Sequence, residues 1–162
     1  MSSITTCLWF DGNAEEAAEY YVRLFTEAGR SARIGKKGYY GEASANASGQ
    51  PTRSLMTVQF ELDGNLFLGL NGGPHYKLTP AISFMVSCKT QQEIDYFWEK
   101  LGDGGQPSRC GWIESDRFGV AWQVIPNDLG ELIAGPDPAK SNRVMSALMT
   151  MTKLDIEALR RA

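Results

Sequence analysis

An internal repeat limits the possible fold of this chain more than any other feature of its sequence. Residues 4–25 align with residues 81–102 at an offset of 77, which places ITTCLWFDGNAEEAAEYYVRLF over AISFMVSCKTQQEIDYFWEKLG. Each copy begins with a run rich in β-branched and aromatic residues, which predicts a strand. Each copy then shows the capping-box pattern of a helix start, Asn13 with Glu16 and Thr90 with Glu93. The chain is therefore expected to use one strand–helix module twice.

Apolar residues recur at helical spacing after both of these start signals, which predicts two amphipathic helices packed on sheets. The aromatic pairs Tyr20-Tyr21 and Phe97-Trp98 coincide under the offset. We interpret both stripes as core. Their members are Ala14, Ala17, Ala18, Tyr21, Leu24 and Phe25 in the first helix, and Ile94, Phe97, Trp98 and Leu101 in the second.

The segments that follow the two helices also correspond to each other. Residues 53–71 predict two strands joined at Asp63-Gly64, a strong hairpin signal. Residues 109–125 predict a similar pair with a longer connection from Asp116 to Gly119. Only the first copy has an insertion, Gly35–Pro51, which is rich in Gly, Ser, Ala and Asn. This composition predicts an exposed, mobile loop.

Two short helices are predicted after Pro126. Asp137-Pro138 has the pattern of a capped helix start, and Thr152 with Asp155 suggests a second one. The first of these helices carries more apolar residues than a short surface helix needs, which favours a homodimer contact. This stripe comprises Val144, Met145, Leu148, Met149 and Met151.

Length, charge and cysteine usage exclude several classes of protein. The 162 residues suit one ordinary domain, and a net charge of −3 gives no basis for nucleic-acid binding. No apolar run approaches the ~20 residues that span a bilayer, and the N-terminus lacks signal-peptide features. Cys7, Cys88 and Cys110 form no C-x-x-C pair, which predicts reduced thiols in a cytoplasmic protein. Cys7 is expected in the core, and Cys110 at a cavity.

Several short motifs, in this order and spacing over residues 4–150, resemble the PhnB-like (demethylubiquinone methyltransferase-like) branch of the glyoxalase/bleomycin-resistance/dioxygenase superfamily, also called vicinal oxygen chelate proteins. The motifs are Leu8-Trp9-Phe10, Ala14-Glu15-Glu16-Ala17, Leu70-Asn71-Gly72-Gly73-Pro74, Ser83-Phe84, Cys110-Gly111-Trp112, Phe118-Gly119-Val120-Ala121-Trp122-Gln123 and Asp137-Pro138-Ala139-Lys140. The resemblance implies an α+β fold in which tandem βαβββ modules form a curved, cup-like mixed sheet. Modules at about 3–74 and 80–125 would make up residues 1–125, and residues 126–162 would be a C-terminal helical extension of the same domain.

Metal-using relatives supply two ligands from each half, drawn from His, Gln and Glu. The resemblance places these four positions near Thr6, Leu68, Ser83 and Gln123, of which only Gln123 is a good ligand. We therefore expect neither a catalytic metal nor another cofactor. A shift of register by one residue would bring other donors near this place, namely Glu61, Asp63 and His75.

Methyltransferases that use S-adenosylmethionine have a sequence signature that can be sought in this chain. Doubly wound enzymes that bind S-adenosylmethionine have a Gly-rich turn leading from a strand into a helix. Asn71-Gly72-Gly73-Pro74 follows a predicted strand, but Pro74 and Pro80 favour a loop after it. The sequence therefore gives no support to methyl transfer.

Aromatic residues combined with a few polar groups predict a small-molecule site within the two modules. Three functions remain open, and we favour the first: a metal-free small-molecule-binding protein, a metal-dependent lyase, isomerase or dioxygenase, or a methyltransferase-like enzyme of quinone metabolism. The alternative for each tryptophan is a place in the core. The candidate ligand-binding residues are Thr6, Trp9, Asn71, Ser83, Cys110, Trp112, Trp122 and Gln123.

Overall fold

The computed structural model describes residues 4–162 and forms two compact units, which divide between Leu78 and Thr79. Within the described residues there are seven strands and six helices, and each unit contains one mixed sheet. Each unit opens with a strand followed by a helix, as the repeat predicts. The α+β class, the tandem arrangement and the C-terminal helices are confirmed.

The first unit holds a four-stranded sheet in the order β1-β4-β3-β2. Strand β1 pairs in parallel with β4, and the other neighbours are antiparallel. The elements are β1 (Thr6–Phe10), α1 (Ala14–Glu27), β2 (Ala32–Tyr39), α2 (Glu42–Ser48), β3 (Leu55–Leu62) and β4 (Asn65–Asn71).

Alternating burial along these strands creates the core beneath α1. Val58, Phe60 and Leu62 of β3 are buried, whereas the residues between them are only half-buried. The predicted stripe of α1 is fully confirmed as the buried side of that helix. The hairpin at Asp63-Gly64 is also confirmed, since both residues have the positive φ that tight hairpin turns require, 49° and 79°.

The predicted loop Gly35–Pro51 is wrong for most of its length. It contains the second half of β2 and the whole of α2. Pairing with β3 supplies backbone hydrogen bonds to β2, with register shifts that absorb its irregular, Gly- and Lys-rich sequence. Helix α2 is held by the buried Ala45, a contact that composition alone did not indicate.

The second unit has a smaller sheet in the order β5-β7-β6, followed by the C-terminal helices. The second strand of its βαβββ module, which would correspond to β2 of the first unit, is reduced to an isolated bridge between Pro107 and Ile113. Thr90 and Glu93 form the capping box that the sequence predicts. The elements are β5 (Phe84–Cys88), α3 (Gln91–Gly102), β6 (Trp112–Ile113), β7 (Trp122–Pro126), α4 (Leu129–Ile133), α5 (Pro138–Leu148) and α6 (Ile156–Arg161).

The C-terminal extension packs within the second unit as three helices rather than the predicted two. Asp137 caps α5 as expected, but α6 is capped by Asp155 alone, so the role predicted for Thr152 is wrong. Of the five residues in the predicted apolar stripe, Val144 and Leu148 are buried, Met151 is half-buried, and Met145 and Met149 are exposed. In the part of the chain described, no helix combines the length and the apolar character needed to cross a membrane.

Candidate functional site

The sheet of the second unit has a helix face, covered by α3, and an opposite side that we call the open face. Val86, Val124 and Ile113 are buried on the helix face. Because side chains alternate along strands, the residues before them point the other way. Met85 is 60% exposed on the open face, and Gln123 is half-buried there.

A polar pair lies on this open face among apolar neighbours. The side-chain Nε2 of Gln123 donates a hydrogen bond to Ser83 Oγ over 2.9 Å. Gln123 is paired with Met85 on one neighbouring strand and with the half-buried Trp112 on the other. Within residues 4–162, Gln123 Oε1 accepts no hydrogen bond. Ser83, Trp112 and Gln123 are thus three predicted site residues that the structure brings together.

Trp112 also borders a depression of about 340 Å³ at the edge of the same unit. Cys110, another predicted site residue, lines it, as do Arg109 and Glu114. The Glu114 carboxylate accepts a hydrogen bond from Ser108 Oγ over 2.8 Å, so its orientation is fixed. The depression is therefore lined by an aromatic ring, a thiol, one positively charged side chain and one negatively charged side chain.

Trp122 occupies the helix face, not the predicted cavity wall. It is 3% exposed, and its indole Nε1 donates to Asp116 Oδ2 over 2.8 Å. The other oxygen of Asp116 accepts from the backbone amides of Phe118 and Val120. Asp116 is itself 3% exposed, so this carboxylate holds the loop before β7. In the sequence, Asp116 has only the pattern of a residue that starts a turn, which does not indicate that its carboxylate is buried.

In the first unit, Thr6 shares the side of β1 that carries the buried Leu8 and Phe10, so it points toward α1. Trp9 points the opposite way. Its Nε1 donates to the Gly73 carbonyl over 2.8 Å, and its ring meets Tyr76 edge-on at 4.8 Å.

Gly72 lies against the Trp9 ring, and Cys7 lies on the same side of β1 as Trp9. A Cβ on Gly72 would lie 2.1 Å from the Trp9 ring, so only glycine fits there. Cys7 is exposed, and the predicted core position is wrong because the thiol lies on the side away from α1. Partial burial still raises the pKa of the Cys7 thiol above its ordinary value.

Both polar atoms of the Asn71 side chain make hydrogen bonds to the backbone of the first unit. Its Oδ1 accepts from the backbone N–H of Ala14 over 2.9 Å, and its Nδ2 donates to the Leu55 carbonyl. Asn13 makes no side-chain cap hydrogen bond, so the capping box predicted at α1 is wrong. Asn71, which lies 57 positions after Ala14, caps the helix in its place. The Asn71 side chain, 6% exposed, has its donor and acceptor already engaged.

The strand registers revise the positions expected for metal ligands. The two copies align at 77 in their helices, but β1 begins at Thr6 and β5 at Phe84, an offset of 78. In the first unit, Leu68 pairs with Cys7, which is one residue away from the expected ligand position Thr6. Gln123 pairs with Met85 in the second unit.

These residues do not fit the His, Gln and Glu donor set of the metal-using relatives. The donors considered for a shifted register do not form a set either. Asp63 and Glu61 pair with Arg30 and Arg33, respectively, and His75 is exposed. Across residues 4–162, no three His, Cys, Asp or Glu side chains are grouped to hold a metal ion.

Comparison with known proteins gives a family and two informative structures. The family described as 3-demethylubiquinone-9 3-methyltransferase matches residues 2–125. A putative 3-demethylubiquinone-9 3-methyltransferase, PhnB protein, from Bacillus cereus is 30% identical, with a TM-score of 0.63 over 76% of this chain and 99% of its own. A crystal structure from Pseudomonas aeruginosa has 18% identity and a TM-score of 0.58, covering 78% of this chain and 98% of that one, and it shows the fold alone. No curated protein matches the chain.

The match covers most of the chain, and the Bacillus cereus protein is similar over nearly all of its own length. The chain belongs to the 3-demethylubiquinone-9 3-methyltransferase family, the PhnB-like branch of the glyoxalase/bleomycin-resistance superfamily.

Proposed function

We propose that this protein binds a small, uncharged aromatic molecule on the open face of its second unit. The observation that carries the proposal is the Ser83–Gln123 pair, a polar contact of 2.9 Å beside Trp112 with the Gln123 amide oxygen still unused. The two side chains offer a ligand one hydroxyl donor and one amide acceptor. Trp112 offers an aromatic surface next to them, a combination typical of small-molecule sites.

The chemistry of this face favours a neutral ligand with oxygen substituents. Ser83 and Gln123 carry no charge, and the strand neighbours Met85 and Trp112 are apolar. The Gln123 amide oxygen has no hydrogen-bond donor within the described residues and is open to solvent, so a ligand hydroxyl can donate to it in place of water. The family description names demethylubiquinone, whose ring is planar and uncharged and carries oxygen atoms. A substituted quinol ring is therefore the ligand class we propose.

We propose binding rather than methyl transfer. Residues 72–83, which follow β4, contain no helix, so Gly72-Gly73 is not the turn that presents a helix N-terminus to S-adenosylmethionine. Calorimetric titration with S-adenosylmethionine separates the alternatives, because a methyltransferase must bind it and we expect no binding heat.

A metal-dependent lyase, isomerase or dioxygenase is the other alternative. The expected ligand positions include a leucine, Leu68, and two neutral hydroxyls, Thr6 and Ser83, which do not suit the hard or borderline ions these enzymes use. We expect elemental analysis of protein purified without chelator to find no stoichiometric zinc, nickel or iron. About one such ion per chain would favour the enzyme.

The proposed site can be tested by titration with guaiacol, an unreactive methoxyphenol that stands in for the quinol ring. Binding is measured by calorimetry on the wild type, on Gln123→Ala and on the matched control Gln92→Ala. Gln92 is exposed on α3, the helix that covers the other side of the sheet.

We expect Gln123→Ala to weaken guaiacol binding about tenfold, the loss expected for one hydrogen bond of roughly 1.4 kcal/mol. Gln92→Ala should bind as the wild type does. Equal affinities for all three proteins would contradict the proposed site.

We also propose a cytoplasmic homodimer, in line with the family resemblance and the unpaired cysteines. Val144 and Leu148 are buried in their own unit, which leaves Met145 as the large exposed apolar residue of α5 for a contact with a partner. Met145 is 38% exposed, so Met145→Lys disturbs the surface and not the core. Light scattering should show a dimer that Met145→Lys weakens. A wild-type monomer at micromolar concentration would contradict the dimer, and an undisturbed variant would contradict the role of α5.

A further inference from the structure

Two sulfur atoms meet beside the depression of the second unit. Cys110 Sγ lies 3.8 Å from Met149 Sδ. Met149 is 57% exposed, and Cys110 lines the depression, so both can be reached from solvent. We propose that Cys110 and Met149 form a binding site for a soft monovalent metal ion, Cu(I). This site is separate from the positions at which the metal ligands of the superfamily fall, and it does not depend on the proposed quinol site.

The donor atoms select the ion. Thiolate and thioether are soft ligands that favour Cu(I) over magnesium, calcium or manganese. A thiolate and a thioether together carry one negative charge, which balances a monovalent ion and leaves a divalent one undercompensated. The described residues hold no group of three His, Cys, Asp or Glu that would instead favour zinc or iron.

The separation of the two sulfur atoms suits an ion that contacts both. Metal–sulfur bonds of about 2.3 Å to the thiolate and to the thioether would subtend roughly 110° at the ion, given the 3.8 Å between the sulfur atoms. This angle leaves a third coordination position, which a small external thiol can fill. The pair is thus close enough to chelate without rearrangement of the backbone.

The backbone of Cys110 is fixed by the segment that follows α5. Cys110 has a φ of 56°, a left-handed conformation that is uncommon for a residue with a side chain. Its N–H donates to the Met151 carbonyl over 2.8 Å, and Met151 lies two residues after Met149. The contact that stabilises this conformation therefore also brings the thiol to the thioether.

Binding is an exchange of a proton for a metal ion with no change of oxidation state. The Cys110 S–H bond breaks, its proton goes to solvent, and Sγ and Met149 Sδ each donate an electron pair to Cu(I).

The site is tested by titrating Cu(I) without oxygen against the chromogenic chelator bicinchoninate, using the full-length protein. Cys110→Ser should abolish binding, and the near-isosteric Met149→Leu should weaken it about tenfold or more. Cys7→Ser is the matched control, because Cys7 is an exposed thiol whose strand partner, Leu68, offers no donor. It should bind Cu(I) as the wild type does.

Three results would overturn the site: no transfer of Cu(I) to the wild type, equal binding by Met149→Leu, or loss of binding in Cys7→Ser. Met149 is exposed, so its replacement by leucine leaves the core intact. Circular dichroism of each variant before titration separates loss of the metal site from loss of the fold.

Discussion

The two units share a sequence pattern but complete their folds by different means. The first unit has four strands, and its opening helix is capped by Asn71, a residue at the far end of β4. The second unit has three strands, and its opening helix is capped by the neighbouring Thr90. One module thus relies on a distant buried contact where its repeat uses a local one.

The second unit compensates for its smaller sheet with parts that the first unit lacks. The buried Asp116 carboxylate organises the loop before β7 through three hydrogen bonds. The segment after α5 accepts hydrogen bonds from Cys110 and Gly111, through the carbonyls of Met151 and Thr152. A repeated sequence pattern therefore specifies the strand–helix start of each unit, while non-repeated residues complete the sheet.

The largest expected effect comes from removing the buried carboxylate of the second unit. Asp116→Ala should lower the free energy of unfolding by about 3–4 kcal/mol, because it leaves the Trp122 indole and two backbone amides without their acceptor. Urea denaturation monitored by circular dichroism measures this loss. Asp11→Ala, at an exposed position, should have little effect, and a similar loss in both variants would contradict the role of Asp116.

The remote cap of the first unit gives the next largest effect. Asn71→Ala should cost about 2–3 kcal/mol, since it removes the acceptor for Ala14 N–H and leaves buried backbone groups unpaired. Asn13→Ala should cost only a few tenths of a kcal/mol, because Asn13 makes no side-chain cap bond. If urea denaturation found the reverse order, the local capping box would be the true one and the contrast between the units would fail.

The local cap of the second unit has a smaller expected effect. Thr90→Ala should destabilise the protein by about 1 kcal/mol, the usual loss for an N-cap hydroxyl. Thr90→Ser keeps the hydroxyl that accepts from Glu93 N–H and should restore most of the stability. Thermal unfolding of the two variants side by side measures the difference, and equal melting temperatures would show that the cap contributes nothing.

Acid sensitivity of the C-terminal helices provides the smallest effect. The Arg160 guanidinium, which donates to Asp128 over 2.8 Å, lowers the pKa of that carboxyl below its ordinary value of 3.8. A lowered folded-state pKa contributes stability that is present above the ordinary value and is lost as the pH falls through the folded one.

Arg160→Gln removes this contact, so it should flatten the fall of the melting temperature between about pH 5 and about pH 2. Arg161→Gln is the matched control, since Arg161 contacts Glu157 of its own helix. An acid profile of Arg160→Gln that runs parallel to the wild type would contradict the linkage.

Local signals in the sequence predicted the elements that depend on local physics. The helix stripes, the Thr90 capping box and the Asp63-Gly64 hairpin involve residues within one or two turns of each other. They are confirmed except for Trp98, which is only half-buried on α3. Strand β2 and the remote cap by Asn71 depend on partners distant in sequence, which neither composition nor periodicity specifies. They could not be predicted for that reason.

The candidate site shows the same division between local and distant information. The sequence selected Ser83, Gln123 and Trp112, and the sheet places them on one face. The sequence also predicted Trp122 as a site residue. Successive side chains of a strand point to opposite faces of the sheet, so an error of one position in the strand register assigns a residue to the wrong face. The first strands of the two copies align at an offset of 78, whereas the helices align at 77, so an alignment at 77 misplaces the strand residues by one position. For this reason Thr6 was also expected to face the site, although it points toward α1.

The central claim is that the open face of the second unit, and not its helix face, receives the ligand. Proton–nitrogen correlation spectra of the labelled protein test it directly, because each of the four tryptophans gives an indole N–H signal that a Trp→Phe variant assigns. On addition of guaiacol we predict that the Trp112 indole and the Gln123 side-chain amide signals shift, while the Trp122 indole, bound to Asp116, does not. A shift of the Trp122 signal with Trp112 and Gln123 unmoved would contradict the claim.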